Sequence, residues 1–190
     1  MIKCIASGTL LLFVSLPALA QRPKAPGSAR GPVIELFGGY ARTPIKSGET
    51  TVGNGFVGSF AWNAKSWLQI AADASYNRGS SNLTKNVLYG NHYGPRVFYH
   101  HLSRSFTPFA EALFGGSHVS TTFPQGGLRD YSDNGFSTKV GGGVDFNLRP
   151  HLSIRLFEVD LYRTSFFNGH QNTYWISSGL VLRLGGGGFR

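Results

Sequence analysis

The chain has 190 residues, with 26 glycines, 14% aromatic residues and only 14% charged ones. Glycine and aromatics with so little charge suit β-structure with many turns and argue against a helical bundle. The formal charge is +9, but Lys and Arg are scattered singly rather than in runs, which argues against nucleic acid as a partner.

The first segment is predicted to lie outside the fold. "MIKCIASGTLLLFVSLPALA" has Lys3 as a short basic start, an apolar stretch over 5–19, and Ala18-Leu19-Ala20 as a small-x-small cleavage pattern. A cleaved export signal is expected over 1–20. Cys4 precedes the apolar run, the wrong place for a lipoprotein cysteine, and it is the only cysteine. The exported chain must therefore hold together without disulfides. Residues 21–32, "QRPKAPGSARGP", read as a basic, Pro-rich, extended lead-in.

From Val33 onward, segments of two-residue period follow one another. "VIELFGGYAR" sets Ile34, Leu36, Gly38 and Tyr40 against Glu35, Phe37 and Gly39. "FVGSFAWN" sets Phe56, Gly58, Phe60 and Trp62 against Val57, Ser59, Ala61 and Asn63. "LQIAADASY" sets Leu68, Ile70, Ala72, Ala74 and Tyr76 against Gln69, Ala71, Asp73 and Ser75. "YGPRVFYHH" sets Tyr93, Val97 and Tyr99 against Arg96, Phe98 and His100. "FTPFAEALFGGSHV" puts Glu111 opposite Ala110, Ala112 and Phe114. "KVGGGVDFNL" sets Val140, Val144, Phe146 and Leu148 against Lys139, Asp145 and Asn147. After "RPH" comes "LSIRLFEVDLYR", whose apolar register slips between Leu156 and Val159. Either a bulge lies near Phe157-Glu158, or Glu158 faces out near a rim. "YWISSGLVLRL" closes the set, with Ile176, Leu180, Leu182 and Leu184 against Ser177, Gly179 and Arg183.

These are eight strands of about nine to twelve residues, the length a tilted strand needs to cross a bilayer. Short turns are expected at 63–67, 101–106 and 148–151. Long polar loops are expected at 43–55, 77–92, 119–135 and 164–173, all at the other end. The pattern predicts an all-β fold, an eight-stranded antiparallel up-and-down transmembrane β-barrel over 33–185, with a Gly-rich tail over 186–190. The apolar register would face lipid. The polar register would face a lumen just wide enough for side chains to fill, with the sheet closed because the bilayer offers its backbone no water.

Strand acids Glu35, Asp73, Glu111, Asp145 and Asp160 and bases Arg96, Arg155 and Arg183 are the candidate lumen charges, structural in role and able to pair across the interior. Trp62 and Trp67 flank a short turn, where an interfacial aromatic belt belongs. Tyr40, Tyr76, Tyr93 and Tyr162 fall toward the opposite strand ends. The glycines of "VGGGVD" suit close packing rather than a phosphate loop. Six histidines without metal-ligand spacing make no metal case, and no cofactor or catalytic residue is assigned.

"TPFAEALFGGSHV", "KVGGGVDFNL", "LSIRLFEVDLYRT" and "SGLVLRLG" resemble segments of the OmpA-like outer-membrane β-barrel domain family, over about 33–185. The resemblance implies the cell outer membrane of a diderm bacterium, and inward structural roles for Asp145, Arg155 and Asp160. It also implies outer-membrane lipids, lipopolysaccharide and the barrel-assembly machinery as partners, with any surface ligand unidentified. No periplasmic domain is expected after the barrel, so wall anchoring is not carried over from the resemblance. The expected function is a structural or surface-interaction role, at most a narrow pore. Two alternatives are a lipid A-modifying enzyme and a soluble lipocalin-like barrel. For the first, "HLS" occurs at 101–103 and 151–153, and His118, His170, Asp130 and Asp133 lie toward the outer loops. The second would need an apolar interior and a polar exterior.

Overall fold

The computed structural model describes residues 34–47, 49–65, 67–81, 83–99, 105–124, 129–166 and 169–185. The expected signal segment, the Pro-rich lead-in and the Gly-rich tail lie outside the described residues, as does the first "HLS". The strands are β1 (Ile34–Ser47), β2 (Glu49–Lys65), β3 (Leu68–Ser80), β4 (Lys85–Phe98), β5 (Phe106–Thr122), β6 (Tyr131–Arg149), β7 (Leu152–Phe166) and β8 (Gly169–Leu184). Each pairs antiparallel with its neighbour in sequence, and β1 closes on β8 from Ile34↔Leu184 to Arg42↔Ile176. The result is a closed eight-stranded barrel with no free edge.

The wall is inside-out relative to a soluble protein. Leu36, Phe60, Ile70, Val97, Val140, Leu180 and Leu182 are exposed, while Glu35, Asp73, Arg96, Asp145 and Arg155 are buried. Alternation puts these two sets on opposite faces of every strand. A polar solvent would reward the reverse arrangement, so the outward face is matched to lipid. A soluble lipocalin-like barrel does not fit this distribution.

Two expectations need correction. The strands run to 13–19 residues, and the segments read as long loops are largely paired strand. β1 and β2 stay in register up to Ser47↔Glu49, so 43–47 and 49–55 are paired strand rather than loop. The polar composition misled, because Thr43, Ile45 and Thr51 are β-branched and keep burying alternate side chains above the apolar band. The connections at this end bridge Ser80 to Lys85, Thr122 to Tyr131 and Phe166 to Gly169. Tyr162 is the second correction: it is buried in the lumen rather than set in an outer belt. It sits on the inward register only because the strand has already slipped by one residue.

That slip is a bulge. Leu156 and Phe157 are both outward, 45% and 49% exposed, while Glu158 is 2% exposed. Two residues of β7 therefore oppose one residue on each neighbour: Arg155 and Phe157 flank the step at Asp145 and Val144 on one side, and Arg155 and Glu158 flank the step at Gly179 and Ser177 on the other. The bulge brings Arg155 and Glu158 onto the same inward face. Opposite them, a Cβ on Gly141 would run into the Val159 carbonyl and the Asp160 carboxylate, and one on Gly143 would stand 2.9 Å from the Phe109 ring. These glycines leave the room that the inward side chains occupy.

Candidate functional site

The interior is built in tiers. The lower tier lies toward the Lys65–Leu68 and Arg149–Leu152 turns. There Arg155 Nε donates to Asp145 Oδ1 at 2.9 Å, its NH1 to Glu158 Oε2 at 2.6 Å, and its NH2 to Glu35 Oε1 at 3.2 Å. Arg183 donates to Glu35 at 3.1 Å and to Asp145 at 3.1 Å. Arg96 donates to Glu111 at 2.6 Å and to Glu35 at 3.3 Å. Glu35 on β1 thus gathers cations from β4, β7 and β8 at one point. The Arg155 guanidinium also lies against Phe37 and Phe109, at 4.4 Å and 4.2 Å from the ring centroids. Asn147 extends the network toward the mouth, accepting from Arg183 NH1 at 3.0 Å and from Ser153 at 2.8 Å.

The middle tier centres on Lys139. Its ammonium donates to Asp73 Oδ2 at 2.7 Å and lies 3.5 Å from Asp160 and 3.7 Å from Glu158. It also stands 4.7 Å from the Trp175 ring centroid. His92 bridges Asp73 at 2.9 Å and Ser137 at 2.8 Å, and Ser117 hydrogen-bonds Ser137 and the Tyr162 hydroxyl. Every strand except β2 contributes a charged or histidine side chain to these two tiers.

The upper tier is mixed: Thr43, Thr51, Asn77, Asn86, Thr121, Thr164 and Thr173 are buried there among apolar side chains. Ile45, Leu88, Val119 and Phe166 are buried and join Tyr162 and Trp175 in one cluster. Asn86 beside them donates to Thr51 at 2.9 Å and accepts from Thr121 at 2.8 Å. Interior side chains therefore continue above the charges toward the long strand ends.

All eight residues expected as lumen charges are buried and inward. Seven join the network through short ion pairs: Glu35, Asp73, Arg96, Glu111, Asp145, Arg155 and Arg183. Asp160 is the looser member, since neither of its carboxylate oxygens has a hydrogen bond and its nearest cation is Lys139. Lys139, Glu158 and His92 are central yet were not assigned from sequence. Lys139 was legible, because it stands on the polar register of its strand. Glu158 was hidden by the bulge. Glu111, Glu158 and Asp160 bring carboxylate oxygens within 4.8 Å of one another, a grouping invisible in sequence spacing, with Lys139 as its countercharge.

Outside the lumen, His118 contacts Asn134 at 2.8 Å, Asp130 accepts from the Phe123 amide at 3.0 Å, and Asp133 accepts from the Asn134 amide at 2.9 Å. His170 and Ser165 are 2.9 Å apart at the exposed β7–β8 hairpin, and among the described residues no carboxylate pairs with that histidine. His151 and Ser153 of the second "HLS" bond separately to the Arg183 carbonyl and to Asn147. No nucleophile–base–acid relay is assembled among these groups.

An exposed apolar wall around a buried ionic interior is the architecture of a protein that crosses an outer membrane. The sequence matches the family described as outer membrane protein beta-barrel domain over residues 7–180. The chain belongs to this family. Among solved structures, it is similar to Neisserial surface protein A, with 15% identity, a TM-score of 0.64, and coverage of 80% of this chain and 97% of that one. It is also similar to Ail, the attachment invasion locus protein of Yersinia pestis, with 16% identity, a TM-score of 0.53, and coverage of 79% and 98%. The Yersinia pestis protein has also been solved with the heparin analogue sucrose octasulfate, and that structure matches at 17% identity and a TM-score of 0.53, covering 80% and 99%. No curated protein sequence matches. This outer-membrane barrel sits among the lipids of the cell outer membrane.

Proposed function

We propose that the barrel is a sealed, non-catalytic scaffold whose lumen charges are structural and whose outer strand ends present the interaction surface. The observation that carries this reading is the filled interior: two ionic tiers cross-link seven of the eight strands, and a mixed tier of Thr, Asn and apolar side chains lies above them. A conducting pore would need a continuous wet path, and ion pairs that span the lumen from strand to strand stand across it. The strand ends beyond the apolar band, 43–47 with 49–53 and 131–136 with 116–121, are paired sheet rather than loops, a platform for surface contact. The proposal includes export by the signal segment over 1–20, a barrel over 33–185, delivery by the outer-membrane assembly machinery, and lipopolysaccharide around the outer half. A neighbour of the same fold binds a sulfated saccharide analogue, which supports surface recognition as the kind of role to test.

The test is to express the full chain in a diderm bacterium, fractionate the envelope, and run the outer-membrane fraction with and without boiling. The reading expects a boiling-dependent mobility shift and no stable conductance steps in planar bilayers. Large, long-lived conductance steps would overturn the sealed lumen. Recovery in the soluble periplasmic fraction would overturn the membrane reading.

A further inference from the structure

One grouping on the outer wall plays no part in the lumen. Arg42 on β1, Asn54 on β2 and Arg78 on β3 are direct cross-strand partners, Arg42↔Asn54 and Asn54↔Arg78. All three are exposed on the outward register. The row immediately below is aromatic: Tyr40, Phe56, Tyr76 and Tyr89 are partners in turn and all are exposed.

Height places this row in the membrane. Arg78 lies ten residues beyond Leu68, the first residue of β3. On a strand tilted by about 40°, that is a rise of about 25 Å, the height of the apolar band. The aromatic row is then the outer girdle, and the Arg–Asn–Arg row meets the lipid headgroups. Strands about 4.8 Å apart set the two arginine Cα atoms about 10 Å apart, close enough for both guanidiniums to reach one anion between them.

The central residue is oriented for the same purpose. The Tyr40 hydroxyl donates to Asn54 Oδ1 at 2.7 Å, so the asparagine amide nitrogen is turned out as a donor between the arginines. Among the described residues neither Arg42 nor Arg78 joins an ion pair, because the strand acids Glu35, Asp73, Glu111, Asp145, Glu158 and Asp160 are spent inside the lumen. The three positions are a row of donors facing lipid, and among the described residues no carboxylate pairs with either arginine. A phosphate monoester, with several anionic oxygens, matches guanidinium forks and an amide donor.

We propose that Arg42, Asn54 and Arg78 bind the phosphate of a phosphorylated lipid of the outer leaflet, whose acyl chains lie against Tyr40, Phe56 and Tyr76. This rests on the lipid-facing reading of the outward register and names the lipid chemistry it recognises. Arg163 on β7 is a further exposed cation on the outward register, away from this cluster, and serves as an internal comparison.

The experiment uses the full barrel in phosphatidylcholine nanodiscs doped with lipopolysaccharide, or with lipopolysaccharide stripped of its lipid A phosphates. Lipid retained per barrel is read by native mass spectrometry. The wild type should retain the phosphorylated form roughly 30-fold more strongly than R42A/R78A, at about one interfacial increment per cation. K65A at the opposite rim and R163A should keep the preference, and the stripped lipid should bind wild type and double variant alike. Equal retention of phosphorylated and stripped lipid by the wild type would overturn the proposal. So would an R42A/R78A barrel that binds as the wild type does, or complete displacement by inorganic phosphate, which would mark a soluble-anion site. Cold-gel mobility confirms that each variant is folded, and R42Q/R78Q replaces the alanine pair if that pair fails to fold. A wild type that does not enter nanodiscs would refute the membrane reading itself, whereas one that enters without phosphate preference would refute only this site.

Discussion

Arg155 is the most connected cation in the lumen, and its removal tests whether the interior behaves as one network. It holds Asp145 at 2.9 Å, Glu158 at 2.6 Å and Glu35 at 3.2 Å, and lies on two aromatic rings. Arg155→Met keeps much of the volume but strands three carboxylates unequally. Glu35 retains Arg96 and Arg183, and Asp145 retains Arg183, whereas Glu158 is left with Lys139 at 3.7 Å. Breaking a fully buried pair from one side costs about 3–5 kcal/mol. Asp145→Asn alone should cost less, because Arg155 keeps Glu158 and Glu35 and Arg183 keeps Glu35, although the single amide oxygen can accept from only one of the two arginines. The double variant should fall short of the summed losses by about 0.5–3 kcal/mol, the range for residues in direct contact. The assay is reversible urea unfolding in lipid vesicles, followed by tryptophan fluorescence and cold-gel mobility. Strict additivity would show that Arg155 and Asp145 act independently and would refute the network.

Deleting Leu156 should remove the bulge and leave every other β7 residue on its present face, so the barrel should still fold; deleting Val159 should flip one side of the strand and abolish the boiling-dependent gel shift. Amine labelling of intact cells should modify Lys85, at the long-strand end, and spare Lys65 at the opposite turn; the reverse pattern would invert the topology. Gly143→Leu should destabilise the barrel far more than Gly38→Leu, because the inward Cβ at 143 meets the Phe157 carbonyl and the Phe109 ring whereas one at Gly38 meets nothing within 4 Å, and comparable unfolding midpoints would contradict the packing described.

Most of the barrel was legible in the sequence because alternation is a local signal. The inward and outward faces of β2, β3 and β8 follow from their two-residue period alone. Strand length was less legible, since polar Thr-rich sequence pairs as well above the membrane as apolar sequence pairs within it, and 43–55 therefore read as a loop. The charge network was half visible. The polar register marks Asp145 and Arg155, but the convergence of three arginines on Glu35 depends on barrel closure, which joins β1 to β8 across the whole length of the chain. Glu158 and Tyr162 were misread or left open for one reason, the extra residue at Leu156–Phe157, because a bulge inverts the face of everything beyond it.

The central claim is that the outward apolar register contacts lipid. An arginine scan along one strand tests it most directly. On β8, Leu184, Leu182, Leu180, Ile176 and Tyr174 are all exposed and climb the wall from the short-turn end. Each is replaced by Arg, and unfolding is measured in lipid vesicles. The account predicts a penalty of about 2–4 kcal/mol that peaks near Leu180 and falls to about 0–1 kcal/mol at Leu184 and Tyr174. A flat profile along the strand would contradict it.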